Sequence, residues 1–146
     1  MKLREATVAD VQQITQLLAD DELGQSRERP GDPVYFAAFA RMAEQPGNVI
    51  LVAEEVATVI GCLQYTLIHG LSRKGGSRAQ IEGVRVHAAH RGKRIGEKLV
   101  QAAIDRAQGD GAKLVQLTTD VSREEAKRFY ERLGFEPTHW GMKLSL

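Results

Sequence analysis

The spacing of apolar residues changes period several times along the chain, and each change marks an element. Residues 2–6 form a short stretch that can open a sheet. Thr7 then reads as an N-cap with Asp10 three residues on, and Ala6 and Val11 are placed as a hydrophobic staple. Val11, Ile14, Leu17 and Leu18 follow at helical spacing and predict a first helix to about Asp20. Residues 21–31 are polar and irregular. Asp32-Pro33 supplies a cap and a first-turn proline. Tyr35, Phe36, Phe39 and Met42 then give a second helical stripe, ended by Pro46-Gly47.

The middle of the chain changes to the composition of strands. Residues 49–53 and 58–68 are rich in β-branched side chains, residues 70–77 read as a hairpin tip, and residues 79–87 read as a further strand. Ile95, Leu99, Ala102, Ala103 and Ala107 mark a third helix, closed by Gly109 and Gly111. Residues 114–119 return to strand. Ser122 with Glu125 reads as a capping box for a last helix carrying Ala126, Phe129, Tyr130 and Leu133, and residues 135–146 suit two short final strands. This order predicts a single α/β (α+β) domain over residues 1–146, a mixed sheet with helices packed on it.

Composition narrows the function classes. With 42% hydrophobic and 27% charged residues, the 146-residue chain has the balance of a soluble globular domain. Twenty Lys and Arg nearly cancel nineteen Asp and Glu, leaving a net charge of +1 and no general reason to expect nucleic acid or a membrane surface as partner. The one cysteine, Cys62, lies in an apolar run and reads as a buried thiol; with no disulfide and no export signal, the cytoplasm is expected.

Candidate chemistry concentrates between Ile81 and Gly96. A strand leads through Arg91, Gly92, Lys93 and Arg94 into a helix starting near Ile95 or Gly96. Free amides at a helix N-terminus, the helix dipole and three nearby cations make an anion site; a solvated basic loop is the alternative reading. Neither the Walker spacing nor a three-glycine dinucleotide fingerprint is present. Gly83 suits either a β-bulge or a tolerated strand position.

Arg91-Gly92-Lys93-Arg94-Ile95-Gly96 resembles the Q/R-x-x-G-x-G/A signature of the GNAT N-acetyltransferase family, with Arg94 where glycine is usual. Residues 126–135, from Ala126 through Phe129-Tyr130 to Gly134-Phe135, resemble that family's A-x-x-F-Y-x-x-x-G-F block. The resemblance implies a mostly antiparallel sheet whose fourth and fifth strands splay, with helices on both faces. It implies acetyl-CoA as co-substrate, no metal, and a small-molecule or peptide amine as acceptor. It also leaves room for a homodimer.

By position in the motif, Val84 and Val86 would offer main chain to the pantetheine arm. Arg91, Gly92, Lys93, Arg94, Ile95 and Gly96 would hold the diphosphate, and Arg123 stands where a cofactor-contacting asparagine is common. The Val86 N–H would meet the thioester oxygen as charge develops there. Glu82 is the candidate base for an ammonium of pKa about 10.4; its bland reading is a structural carboxylate paired to Arg85 or Lys113. His69, His87 and His90 are rival bases. Tyr130 would protonate the departing thiolate; without the family context it is a core tyrosine. A catalytically weak acyl-CoA-binding regulator of the same fold is the alternative function.

Overall fold

In the computed structural model, which describes residues 1–146, the chain divides into two compact units, Met1–Gln116 and Leu117–Leu146. The first holds a five-stranded sheet in the order β1 (Lys2–Glu5), β2 (Asn48–Glu55), β3 (Thr58–Ile68), β4 (Arg78–Val86), β5 (Leu114–Gln116). Every neighbour is antiparallel except β4 and β5, which run parallel. The β2–β3 hairpin turns on Val56 and Ala57, both left-handed (φ 47° and 59°). A mirror-image two-residue turn demands that geometry because its twist matches the flanking strands.

Three helices pack on this sheet, and strand alternation separates their faces. A 3-10 turn (Val8–Asp10) opens α1 (Val11–Ala19), with the Thr7 N–H donating to Asp10 Oδ2 at 2.7 Å. Ile14 and Leu17 of α1 pack with Val52, Val59 and Cys62. The Val34 N–H donates to Asp32 Oδ1 (2.9 Å), so Asp32 caps α2 (Val34–Ala43) as its sequence suggests. Leu63 and Tyr65, which alternate with Cys62 on β3, point to the other face, where the Tyr65 hydroxyl donates to Asp110 (2.8 Å) at the end of α4 (Ile95–Gly109). One turn, α3 (Ser72–Gly75), sits at the β3–β4 connection. No helix is long and apolar enough to cross a membrane.

The second unit contains α5 (Glu124–Arg132). Here two sequence expectations are corrected. Ser122 does not cap α5: its N–H and hydroxyl both donate to Asp120 Oδ1 (2.9 and 2.6 Å), which leaves Arg123 as the cap residue. A short Asp side chain two residues upstream competes effectively for those donors. The two final strands are also absent, and β5 ends at Gln116 rather than Thr119. Trp140, Met142 and Leu144 alternate as strand residues do, yet alternation specifies faces and not a partner ladder; all three are exposed.

Candidate active site

The site is built on the last half of β4. Cys62 pairs with Arg85 and Gln64 with Glu82, so β4 spends one more residue than β3 over the same interval. The surplus falls at Gly83, whose φ of +60° makes this a bulge of the glycine type. Beyond the bulge, the His87 N–H donates to Ile60 O (2.9 Å) toward β3. Main-chain groups alternate sides along a strand, so Val84 and Val86 turn theirs to the opposite edge. That edge is open, because the β4–β5 ladder runs only from Arg78–Leu114 to Gln80–Gln116. The splay expected between the fourth and fifth strands is therefore present in the first unit.

The chain then passes through a 3-10 turn (Ala88–His90) into the basic loop. The first α4 bond is Lys98 N–H to Arg94 O (3.1 Å), and the amides of Ile95 and Gly96 lie in the turn before it, at the helix N-terminus. Ile95 is buried and anchors the turn. Gly92 has φ +78° with open space where a side chain would stand. Arg94 adopts the left-handed conformation itself (φ 60°), and its guanidinium grips Glu97 at 2.8 and 2.6 Å. Glu97 raises the Arg94 pKa through those hydrogen bonds. Arg91 donates from Nε to Val86 O (3.3 Å) and from Nη2 to Asp20 O (3.2 Å), tying the strand to the end of α1.

Glu82 is exposed on the sheet face opposite Gln64. It is not the ion-pair partner of Arg85, whose Nε lies 2.7 Å from Asp21 Oδ2. The histidines have other partners: His69 Nδ1 lies 2.7 Å from Ser77 Oγ, His87 Nδ1 accepts from the Ala89 N–H (3.2 Å), and His90 Nε2 lies 3.4 Å from Glu55. Burial pushes the Cys62 thiol up to about 12, which removes it as a nucleophile at neutral pH.

Residues 11–135 match the model of the acetyltransferase (GNAT) family. The chain belongs to this family. Among GNAT relatives, the aminoalkylphosphonate N-acetyltransferase of Salmonella typhimurium is 29% identical over 142 residues, covering 95% of this chain and 87% of that one. A crystal structure of a transcriptional regulator from Bacillus halodurans C-125 superposes with a TM-score of 0.96 at 44% identity, covering 99% of each chain. Glucosamine-6-phosphate N-acetyltransferase from Arabidopsis thaliana superposes at 0.81 over 99% of this chain and 97% of its own; at 24% identity this speaks for the fold alone.

The residues present fit a GNAT acyl donor: an open strand edge, the N-terminus of α4 and a basic loop with space above Gly92. The remaining motif residues belong to the second unit. Tyr130 is half-buried on α5, in edge contact with the rings of Phe129 (5.0 Å) and Phe135 (5.8 Å). Arg123 is exposed at the start of α5. The ties from Arg85 to Asp21 and from Arg91 to Asp20 escape sequence reading, since each spans more than sixty residues.

Proposed function

We propose that residues 1–146 work as one domain that moves an acetyl group from acetyl-CoA onto the primary amine of a small molecule or peptide, by direct attack in a ternary complex. The observation that carries this reading is the open edge of β4 past Gln80, where Val84 and Val86 present main chain beside the N-terminus of α4. Acetyl-CoA supplies the thioester carbonyl and a thiol leaving group. Amides of the residue 91–96 loop take the diphosphate, and Lys93 adds charge. The Val86 N–H donates to the carbonyl oxygen, a contribution of about 3 kcal/mol for such a donor.

Glu82 accepts the proton that the acceptor ammonium must lose, directly or through water. The amine nitrogen then bonds to the carbonyl carbon, the carbon–sulfur bond breaks with its electron pair on sulfur, and Tyr130 donates the proton that completes the thiol. The phenolate recovers a proton from the new amide nitrogen. A thiol of pKa about 8.5 and a phenol of about 10 are matched closely enough for this transfer.

Thiol release from acetyl-CoA across amines, amino acids, aminoglycosides, polyamines and peptide N-termini tests the reading. Tyr130→Phe should lower turnover about a hundredfold, the lower range for a lost proton donor, with acetyl-CoA affinity retained. The regulator described in Bacillus halodurans favours a second reading, an acyl-CoA-responsive module without turnover. That reading predicts stabilisation by acetyl-CoA, no thiol release with any amine, and no effect of Tyr130→Phe.

A further inference from the structure

The sheet face that carries Glu82 has a second charged residue. Gln64 stands opposite Glu82, Thr66 opposite Gln80 and Ile68 opposite Arg78, so these six side chains share one face. Gln116 joins them beside Gln80. The face is that of Cys62, on which α1 packs, but away from Cys62 the row is only half-buried and Glu82 is exposed. It is hydrogen-bonded within itself, from Gln116 Nε2 to Gln80 Oε1 (2.9 Å) and from Gln64 Nε2 to Asn48 Oδ1 (3.0 Å). Such a floor of amides and a hydroxyl suits a polar ligand and offers an apolar one little.

Arg78 closes the far end of this row. Four arginines are half-buried: Arg4, Arg78, Arg85 and Arg106. Arg4 pairs with Asp10 and Glu54, Arg85 with Asp21, and Arg106 with Glu5 and Asp110. Arg78 has no carboxylate partner, and its Nε is buried with no hydrogen-bond acceptor. A partly desolvated guanidinium without a counter-charge is a favourable place for an anion arriving from outside.

From this arrangement we infer that the acceptor is a short amine with an anionic group at its other end: the ammonium goes to Glu82 and the anion to Arg78. The inference rests on the acetyltransferase reading for the role of Glu82. Arg78 and Glu82 lie four residues apart on one strand, about 13 Å between Cα atoms at roughly 3.3 Å per residue. A three-carbon spacer would bridge them with both long side chains reaching along the strand into that interval, its middle lying over Gln80 and Gln116. A diamine would set its second cation against Arg78 and is disfavoured.

A matched series tests this: propylamine, 1,3-diaminopropane, β-alanine and 3-aminopropylphosphonate, each assayed for thiol release. The two anionic amines should exceed propylamine in kcat/KM by about 10- to 100-fold, the range for a charge-assisted hydrogen bond, with the diamine weakest. In Arg78→Gln that preference should collapse toward unity, the loss falling on KM rather than kcat, and Arg78→Lys should restore part of it. A preference for propylamine or the diamine, or an equal loss on all four amines, overturns the assignment. If no amine releases thiol, the acetyltransferase reading fails by itself. Calorimetric titration of the CoA-saturated protein with 3-aminopropylphosphonate then still decides: binding lost in Arg78→Gln upholds the anion site, and equal binding or none refutes it.

Discussion

Replacing Gly83 by alanine tests whether the bulge that opens the β4 edge depends on a left-handed backbone. An added Cβ would meet only Leu18 Cδ2, at 3.6 Å, an ordinary contact. The penalty is therefore conformational: a side chain at φ +60° costs about 1–2 kcal/mol. In a chain of this size each kcal/mol moves the thermal midpoint by about 2–4 °C, so Gly83→Ala should melt roughly 2–8 °C lower. If the chain instead flattens the bulge, Val84 and Val86 turn their amides toward β3, because a one-residue slip reverses every position downstream. The two outcomes separate in one assay, thermal melting with and without acetyl-CoA. Ligand at about a hundredfold over Kd stabilises by about 2.7 kcal/mol where the edge survives, and by little where it does not. A Gly83→Ala protein as stable as the parent, with undiminished ligand stabilisation, would refute the reasoning.

Two further predictions concern the scaffold. Val56 and Ala57 occupy left-handed positions that favour Asn-Gly, so the double change Val56→Asn, Ala57→Gly should add about 1–2 kcal/mol in chemical denaturation; an unchanged midpoint contradicts this. Asp10 is held at about 2, below its ordinary 3.8, chiefly by its hydrogen bonds from Arg4. The unfolded carboxylate protonates first as pH falls, so the stability from Asp10 is complete above about pH 4 and is lost as the pH falls through about 2. The displacement is worth about 2 kcal/mol. Asp10→Asn should lose about that much at pH 7 and approach the parent near pH 2; parallel pH profiles for the two proteins rule the linkage out.

Local pattern was enough for much of this architecture: α1 and α4 bury the stripes their spacing announces, α2 forms where its spacing places it although none of its residues is fully buried, and Gly83 takes the bulge, one of its two readings. What escaped the sequence was set by competition or by distance. Asp120 outcompetes the Ser122 cap through two short hydrogen bonds. The alternating tail around Trp140 shows how apolar spacing can resemble a strand where no ladder forms. At the site, the loop and strand are legible because they are contiguous. The partners of Arg85 and Arg91 and the solitude of Arg78 emerge only when distant segments meet. Arg94 shows a motif position keeping the backbone shape of glycine without being glycine, with its side chain turned onto Glu97.

The central claim is that the β4 edge and the N-terminus of α4 together hold a CoA thioester. Isothermal titration of acetyl-CoA into the parent protein and into Gly96→Glu tests it most directly. The expected result is one site per chain in the parent and no measurable heat in Gly96→Glu, whose melting midpoint stays close to the parent's. Absence of heat with the parent, or equal affinity in the two proteins, would contradict it.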